Sequence, residues 1–212
     1  MMMNFNIIFY YSPADKAFVT SVPELPGCMA DGETIEEALA NTKEIINEWI
    51  EDAKADGIKI PAPLTRFESS QASCIDIANY ILKCKGKITT FALEKLVYYC
   101  KVWSLVWYGN AITTDRVEAW VNGPVFPKLF KQHQGRRYID ESSLKTNHEL
   151  SDSEKKIIEY ILSVYDNFNG SDLRNMTHHE APWNIARGDI PDSAASTEEI
   201  TNKMILDYYK IA

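Results

Sequence analysis

The order of apolar and polar positions divides the chain into a first part with strand-like runs and a longer part with helical periodicity. Residues 4–11, which are rich in Ile, Phe and Tyr, and residues 16–22 predict two β-strands, and residues 28–30 can form a short third strand. Apolar positions then recur at helical spacing from Ile35 to Ala53, and Gly57 ends this helix. Residues 58–63 can add a short edge strand, where prolines are tolerated. The pattern therefore predicts a β-β-β-α-β module, residues 1–65, in which one helix covers one face of a small sheet.

Helical periodicity dominates the rest of the chain. Residues 66–73 are polar and aperiodic, and we interpret them as a linker between two domains. Capping signals and apolar stripes predict four long helices over residues 74–85, 91–108, 152–168 and 197–209. A short helix over residues 172–177 and another beginning near Pro182 complete the pattern. The second domain, residues 74–212, is therefore predicted to be mostly α-helical, and the whole chain to be α+β.

Residues 117–130, VEAWVNGPVFPKLF, interrupt the helical pattern. Gly123 allows a backbone angle that is closed to other residues, and Pro124 fixes the next one, so the two predict a turn. Pro127 stands where a short helix could begin. We expect a rigid bend that packs against the strongly apolar helix over residues 91–108.

Composition and charge narrow the range of functions. The 212 residues are 45% hydrophobic and 25% charged, as in an ordinary globular protein. The formal net charge of −8 is uneven, because residues 1–70 hold 12 acids and 5 bases whereas residues 71–212 hold 18 acids and 17 bases. An acidic first module is a poor binder of nucleic acid and suits a basic protein partner better. No apolar run is long enough to span a membrane, and the start lacks signal-peptide features, so we expect a cytoplasmic protein.

Candidate chemistry is sparse. The four cysteines form no C-x-x-C pair, and we expect no metal or other cofactor. The run His178-His179-Glu180 could be a catalytic or metal site, a loop pinned to backbone with Trp183 as a packing anchor, or a partner contact. Glu118 could be a core acid that hydrogen-bonds Lys95 or Tyr99, or could form a partner groove with Trp120. The basic positions Lys131, Arg136 and Arg137 could be a solvated loop or could meet an acidic surface or RNA.

We expect two sets of site residues. The set expected to contact a protein partner is Glu118, Trp120, Asn122, Phe126, His178, Glu180 and Trp183. The set expected to shape the fold around them is Lys95, Tyr99, Gly123, Pro124, Pro127, Thr177 and Pro182.

The first module resembles the HicB antitoxin family over residues 5–63. The ordered motifs that carry the resemblance are VPELPGC at 22–28, GETIEEAL at 32–39 and IPAP at 60–63. The resemblance implies a partial RNase H-like sheet and helix that binds and masks a small RNA-cleaving toxin, with a sheet edge that could supply toxin specificity or a homodimer contact. Many members carry a DNA-binding domain after the sheet. The residues after position 70 do not have the pattern of a compact helix-turn-helix or ribbon-helix-helix, so we do not expect DNA binding.

The second domain resembles the Panacea domain of SocA-like and phage-associated GepA-like antitoxins over residues 74–209. Four motifs occur in the family's order: DIANYIL at 76–82, KLVYYC at 95–100, EAWVNGPVFPKLF at 118–130 and THHEAPWNIA at 177–186. The last position of the third motif is more often Tyr than Phe130. The resemblance implies an antitoxin that neutralises a toxin encoded beside it, and one relative delivers its toxin to a protease.

The patterns together favour a binding protein rather than an enzyme. We expect an antitoxin of a type II toxin–antitoxin system that neutralises a cognate protein toxin, encoded by the adjacent gene, through direct contact. A proteolysis adaptor is the first alternative. The second is a metal-dependent hydrolase or nuclease that uses His178 and Glu180.

Overall fold

The structure of the protein is a computed structural model, and it describes residues 5–62, 70–146 and 148–209. The chain divides into two compact units, Met1–Thr65 and Arg66–Ala212. The first unit is a sheet with one helix, and the second is mostly helical. The α+β class and the order of a small sheet, a helix and a helical region are therefore confirmed.

The first unit contains a three-stranded antiparallel sheet in the order β1-β2-β3. Its elements are β1 (Ile8–Ser12), β2 (Ala17–Ser21), β3 (Met29–Gly32) and α1 (Ile35–Ala55). Thr34 caps α1 by accepting a hydrogen bond from the amide of Glu37. Apolar side chains of α1 pack on a core formed by Phe5, Val22, Leu25 and Cys28. The hydroxyls of Thr20 and Thr42 lie 2.6 Å apart and join the sheet to the helix.

The predicted strand after α1 does not form in residues 58–62. The amide of Ile58 donates to the carbonyl of Ala53 (2.8 Å) and closes the end of the helix. Pro61 has no amide hydrogen to offer to a sheet ladder, and Ile60 packs against the core without strand pairing. The prediction was wrong because an apolar residue can be buried by packing alone. Pro63 and positions 66–69 of the predicted linker lie outside the described residues.

The second unit is built around one buried helix. Its elements are α2 (Cys74–Lys85), β4 (Ile88–Thr89), α3 (Thr90–Tyr108), β5 (Glu118–Trp120), β6 (Gly123–Val125), α4 (Pro127–His133), β7 (Tyr138–Ile139), a 3₁₀ turn (Glu141–Ser143), α5 (Asp152–Tyr165), α6 (Gly170–His179), α7 (Ala181–Arg187) and α8 (Asn202–Tyr209). Helix α3 is buried on nearly every side from Leu93 to Leu105, as a helix apolar all round must be. Strands β4 and β7 form a two-stranded antiparallel sheet, and β5 and β6 form another.

The last helix begins later than predicted, at Asn202 rather than Thr197. The segment before it runs beside β5, where the amide of Ala119 donates to the carbonyl of Glu198 (2.8 Å) and the amide of Ile200 donates to the carbonyl of Val117 (3.0 Å). Residues in such an extended pairing cannot also be helical. This segment therefore becomes part of the surroundings of the bend.

Candidate functional site

The bend is a tight β-hairpin followed by a short helix. Trp120 pairs with Gly123 across the hairpin, and Gly123 has φ +98°. A Cβ atom at Gly123 would lie 2.7 Å from Lys95 Cε and 2.9 Å from Thr177 Oγ1, closer than side chains tolerate. Helix α4 begins with Pro127 in its first turn. Only glycine therefore fits the turn, for both its backbone angle and its space.

Lys95 holds the turn from the inside. Its side chain is fully buried, and Nζ donates to the Pro124 carbonyl (3.0 Å). The ammonium also lies 4.8 Å from the centre of the Phe91 ring. Burial lowers the pKa of Lys95 to about 8, and the neighbouring Glu94 charge opposes the shift. Lys95 is thus a clamp between α3 and the bend.

Glu94 and His133 form a buried pair that the sequence patterns did not reveal. Glu94 Oε2 accepts from the amide of Phe126 (2.9 Å), and Oε1 lies 2.7 Å from His133 Nε2. The pair joins α3 to both ends of α4. The available signal was an acid in the second turn of a largely apolar helix, a position that requires a partner when it is buried.

A pocket of about 360 Å³ opens between α3, the hairpin and α4. Its lining residues are Thr90, Phe91, Glu94, Lys95, Trp120, Val121, Asn122, Val125, Phe130, His133, Ala195, Ser196 and Thr197. The Trp120 and Phe130 rings meet edge to face with centroids 4.8 Å apart. Both rings and Phe91 are half-buried, and Asn122 is exposed. The aromatic walls of this pocket, which we call the Trp120 pocket, are therefore open to a ligand.

Glu118 does not hydrogen-bond Lys95 or Tyr99, contrary to one of the two interpretations above. It accepts from Trp120 Nε1 (2.8 Å) and from Arg116 Nε (3.0 Å). Residues two apart in a strand share a face, so Glu118 lies beside Trp120. Its carboxylate fixes the orientation of the Trp120 indole.

Tyr99 instead donates to Glu180 Oε1 (2.8 Å) in the interior. Tyr99 also stacks on Tyr165, with ring centroids 4.2 Å apart. Burial raises the pKa of Glu180 to about 7, although hydrogen bonds from Tyr209 and Tyr99 act in the opposite direction. The carboxyl group ties the start of α7 to α3 and is closed to a macromolecular partner in this conformation.

His178 lies in a stack and not in a loop. Helix α6 extends to His179, and the His178 ring stacks on Trp183 with centroids 3.8 Å apart. Burial, followed by the charge of Arg174, lowers the pKa of His178 to about 4. Trp183 Nε1 donates to the Trp120 carbonyl (2.9 Å). The two tryptophans of the motifs are thus joined through the backbone of the bend.

Arg187 is a second functional residue that sequence patterns missed. Its buried guanidinium donates to the carbonyls of Ala119 (2.9 Å), Pro191 (2.6 Å) and Ala194 (2.7 Å). It thereby fixes the segment that contributes Ala195 to Thr197 to the pocket. No local pattern marks such a residue, because its partners are carbonyls.

The structure separates the expected partner residues into two groups. Trp120 and Asn122 line the pocket, and Glu118 hydrogen-bonds Trp120 without lining the pocket. Phe126, Glu180 and Trp183 are 0%, 2% and 1% exposed, so their side chains support the fold and cannot reach a partner. His178 does not line the pocket. Thr177 and Pro182 are buried supports of the bend and of α7.

The described ranges contain neither a cluster of metal-ligating side chains nor a membrane-spanning helix. No group of three or more His, Cys, Asp or Glu side chains within residues 5–62, 70–146 and 148–209 could hold a metal ion. Among the same residues, no helix combines the length and apolar character needed to cross a membrane.

Comparison with known families gives two matches along the chain. Residues 6–81 match the HicB-like antitoxin of bacterial toxin–antitoxin systems. Residues 93–184 match the antitoxin SocA-like Panacea domain. The second match contains the bend and most of the pocket walls.

Curated relatives are similar over shorter stretches. UPF0150 protein Ta0767 of Thermoplasma acidophilum is 49% identical over 47 residues, 22% of this chain and 68% of the relative. UPF0150 protein ssl0259 of Synechocystis is 38% identical over 60 residues, 28% of this chain and 81% of the relative. An uncharacterized 14.9 kDa protein of Haemophilus phage HP1 is 43% identical over 47 residues, 22% of this chain and 35% of the relative. No solved structure gives a significant match.

The chain therefore belongs to the family of its UPF0150 relatives, and it contains a region that matches the HicB-like antitoxin model, followed by a region that matches the antitoxin SocA-like Panacea domain.

Proposed function

We propose that this protein is the antitoxin of a type II toxin–antitoxin system and neutralises a cognate toxin by direct binding in the cytoplasm. The toxin is the product of the adjacent gene. The observation that carries the proposal is the Trp120 pocket, an open aromatic cavity within the Panacea domain.

The pocket has the physical properties of a protein-binding hot spot. Tryptophan is enriched among residues that dominate binding energy, and such residues lie in well-packed concave sites. The walls are held in place before a partner arrives, because Lys95 fixes the turn and the Glu94–His133 pair fixes α4. A preformed pocket loses little conformational entropy on binding. One large side chain of a toxin fits a volume of about 360 Å³.

The sheet of the first unit supplies a second contact in this proposal. Strand β3 is an edge strand with exposed positions, and Met29 is 49% exposed. An exposed edge can pair with another strand. This edge either contacts the toxin and contributes to its specificity, or forms a homodimer with a second copy of the chain. Light scattering of the purified chain distinguishes a dimer from a monomer.

Co-expression with the adjacent gene tests the proposal. Expression of that gene alone should stop growth, and the wild-type chain should restore growth and co-purify with the toxin. Trp120→Ala should lose both effects. Trp107→Ala is the matched control, because Trp107 is also a half-buried tryptophan but does not line the pocket.

The half-life of the toxin separates direct masking from the adaptor alternative. Masking predicts that the toxin persists at least as long in the presence of the antitoxin as without it. A toxin whose half-life shortens, in a manner that depends on a cellular protease, would contradict masking. Persistent toxicity with no co-purification would reject the antitoxin proposal altogether.

A further inference from the structure

A group of exposed cations borders the Trp120 pocket. Strands β4 and β7 pair Thr89 with Tyr138, and Thr90, a lining residue, donates to the carbonyls of Arg137 (3.1 Å) and Arg136 (3.1 Å). These bonds hold the backbone of the two arginines beside a residue that lines the pocket. Lys87 precedes β4, and Lys131 follows the lining residue Phe130 on α4. We call Lys87, Lys131, Arg136 and Arg137 the basic rim.

The basic rim carries positive charge that the described part of the chain does not neutralise by ion pairing. Neighbouring cations are paired: Lys83 with Glu141, Lys85 with Asp166, Arg116 with Glu118, and Lys128 with Asp115. None of the four rim cations forms an ion pair with a described residue, and the acid that one of them influences is Asp140, whose pKa is lowered by hydrogen bonds from Ser142 and Ser143 and by the charge of Lys87. All four rim cations are exposed. In a chain of net charge −8, such a local concentration of unpaired cations favours an acidic ligand.

Tyr138 orients part of the rim. Lys87 Nζ lies 5.8 Å and the Arg137 guanidinium carbon 5.6 Å from the centre of its ring. Cation–π contacts restrain the two side chains without removing their charge. The rim is thus partly ordered before binding and keeps its capacity for carboxylates, which arginine binds through two parallel hydrogen bonds.

We propose that the Trp120 pocket and the basic rim together bind one acidic segment of the toxin, in which a single aromatic or large aliphatic side chain enters the pocket and flanking carboxylates meet the rim. The inference rests on the proposed function and identifies the partner by chemistry. The pocket supplies most of the affinity through apolar burial. The rim supplies the association rate and the orientation of the segment.

Nucleic acid is the competing ligand for a basic surface with aromatic neighbours. Binding of a nucleic-acid strand needs many cations along a groove that follows the phosphate backbone. The rim offers four cations beside a concave pocket, in a chain that is acidic overall. These features favour a short protein segment over a nucleic-acid strand.

Charge reversal of the rim tests the inference with the full-length chain and the purified product of the adjacent gene as the probe. Arg136→Glu with Arg137→Glu should weaken the affinity about ten-fold at low salt and flatten its dependence on salt concentration. The matched control is Lys145→Glu with Lys156→Glu, two exposed lysines elsewhere in the same unit that do not line the pocket. Circular dichroism verifies that all variants are folded.

Each outcome decides the question. Weaker binding of the rim variant, with the control unchanged, supports the inference. Unchanged binding of the rim variant, with Trp120→Ala still defective, overturns the inference and leaves the proposed function in place. Absence of any binding to the wild-type chain overturns both. Rim-dependent binding of a single-stranded polyuridine oligonucleotide in place of the toxin would assign the rim to RNA and overturn the inference.

Discussion

Gly123 determines the geometry of the pocket at the scale of a single residue. Its φ of +98° is one that residues with a side chain rarely adopt, and the space for a Cβ is filled by Lys95 and Thr177. The sequence allowed the turn to be predicted from Asn-Gly-Pro. It could not show why the turn is tight, because Lys95 and Thr177 lie far from Gly123 along the chain. The preference of Asn-Gly-Pro for a turn is a local property of the backbone, whereas the contacts that fill the space around Gly123 come from residues that are distant in sequence.

Gly123→Ala should destabilise the second unit by about 3 kcal/mol, from backbone strain and overpacking together. Gly135→Ala is the matched control, because Gly135 has φ +81° but no atom within 4 Å of a Cβ placed there. We expect about 1 kcal/mol for the control. Urea denaturation of both variants gives the two values. Equal losses would show that the contact with Lys95 and Thr177 is unimportant.

Glu180 gives the protein a predictable pH dependence. Burial raises its pKa to about 7 in the folded state from an ordinary 4.5, so the contribution to stability is complete below pH 4.5 and is lost as the pH rises through 7. The difference between these two pKa values corresponds to a contribution of about 3 kcal/mol to the free energy of unfolding. His178, whose pKa is lowered to about 4, has the opposite effect between pH 4 and 6.5. The contribution of His178 cancels when the unfolding free energy of a variant that retains His178 is subtracted from that of the wild type.

Glu180→Gln is that variant. The unfolding free energy of the wild type minus that of the variant should fall as the pH rises from 4.5 to 8, because the neutral amide has no charge to desolvate. Denaturation at several pH values measures the difference. A difference that is independent of pH would mean that Glu180 ionises normally in the fold.

Helix α3 organises the second unit at the scale of elements. Its apolar pattern predicted a buried central helix, and its bounds were correct to within one residue. The capping signals before residues 74 and 152 likewise predicted the starts of α2 and α5, where Ser73 and Ser151 form capping boxes. The contacts that build the pocket were not predictable, since Glu94 reaches His133 across 39 positions and Arg187 reaches Ala119 across 68. Periodicity reports which face of a helix is buried but not its partners.

Removal of the Glu94 carboxylate should therefore loosen α4 from α3. Glu94→Ala leaves the amide of Phe126 and the ring of His133 without their buried acceptor, and we expect a loss of about 2–3 kcal/mol. Glu198→Ala, at an exposed acid in the same unit, should change stability by less than about 0.5 kcal/mol. Thermal unfolding compares the two variants. A small effect of Glu94→Ala would show that α4 is held mainly by apolar packing.

The whole molecule joins two units, and each unit contains residues that match an antitoxin family. The resemblance of both units to antitoxin families was recognisable from the sequence, because several long motifs occur in the order that each family has. The sequence did not show which residues of a motif line the pocket and which are buried in the fold. Of EAWVNGPVFPKLF, Trp120 and Asn122 line the pocket whereas Phe126 is buried, and only the three-dimensional arrangement separates them. The central claim is that the Trp120 pocket binds the toxin.

Isothermal titration of the purified toxin into the wild-type chain, Trp120→Ala and Trp107→Ala tests this claim most directly. Truncation of a tryptophan at a hot spot costs about 2–4 kcal/mol, so Trp120→Ala should weaken the affinity by about thirty-fold or more while Trp107→Ala binds like the wild type. Equal affinities of the wild type and a folded Trp120→Ala variant would contradict the account.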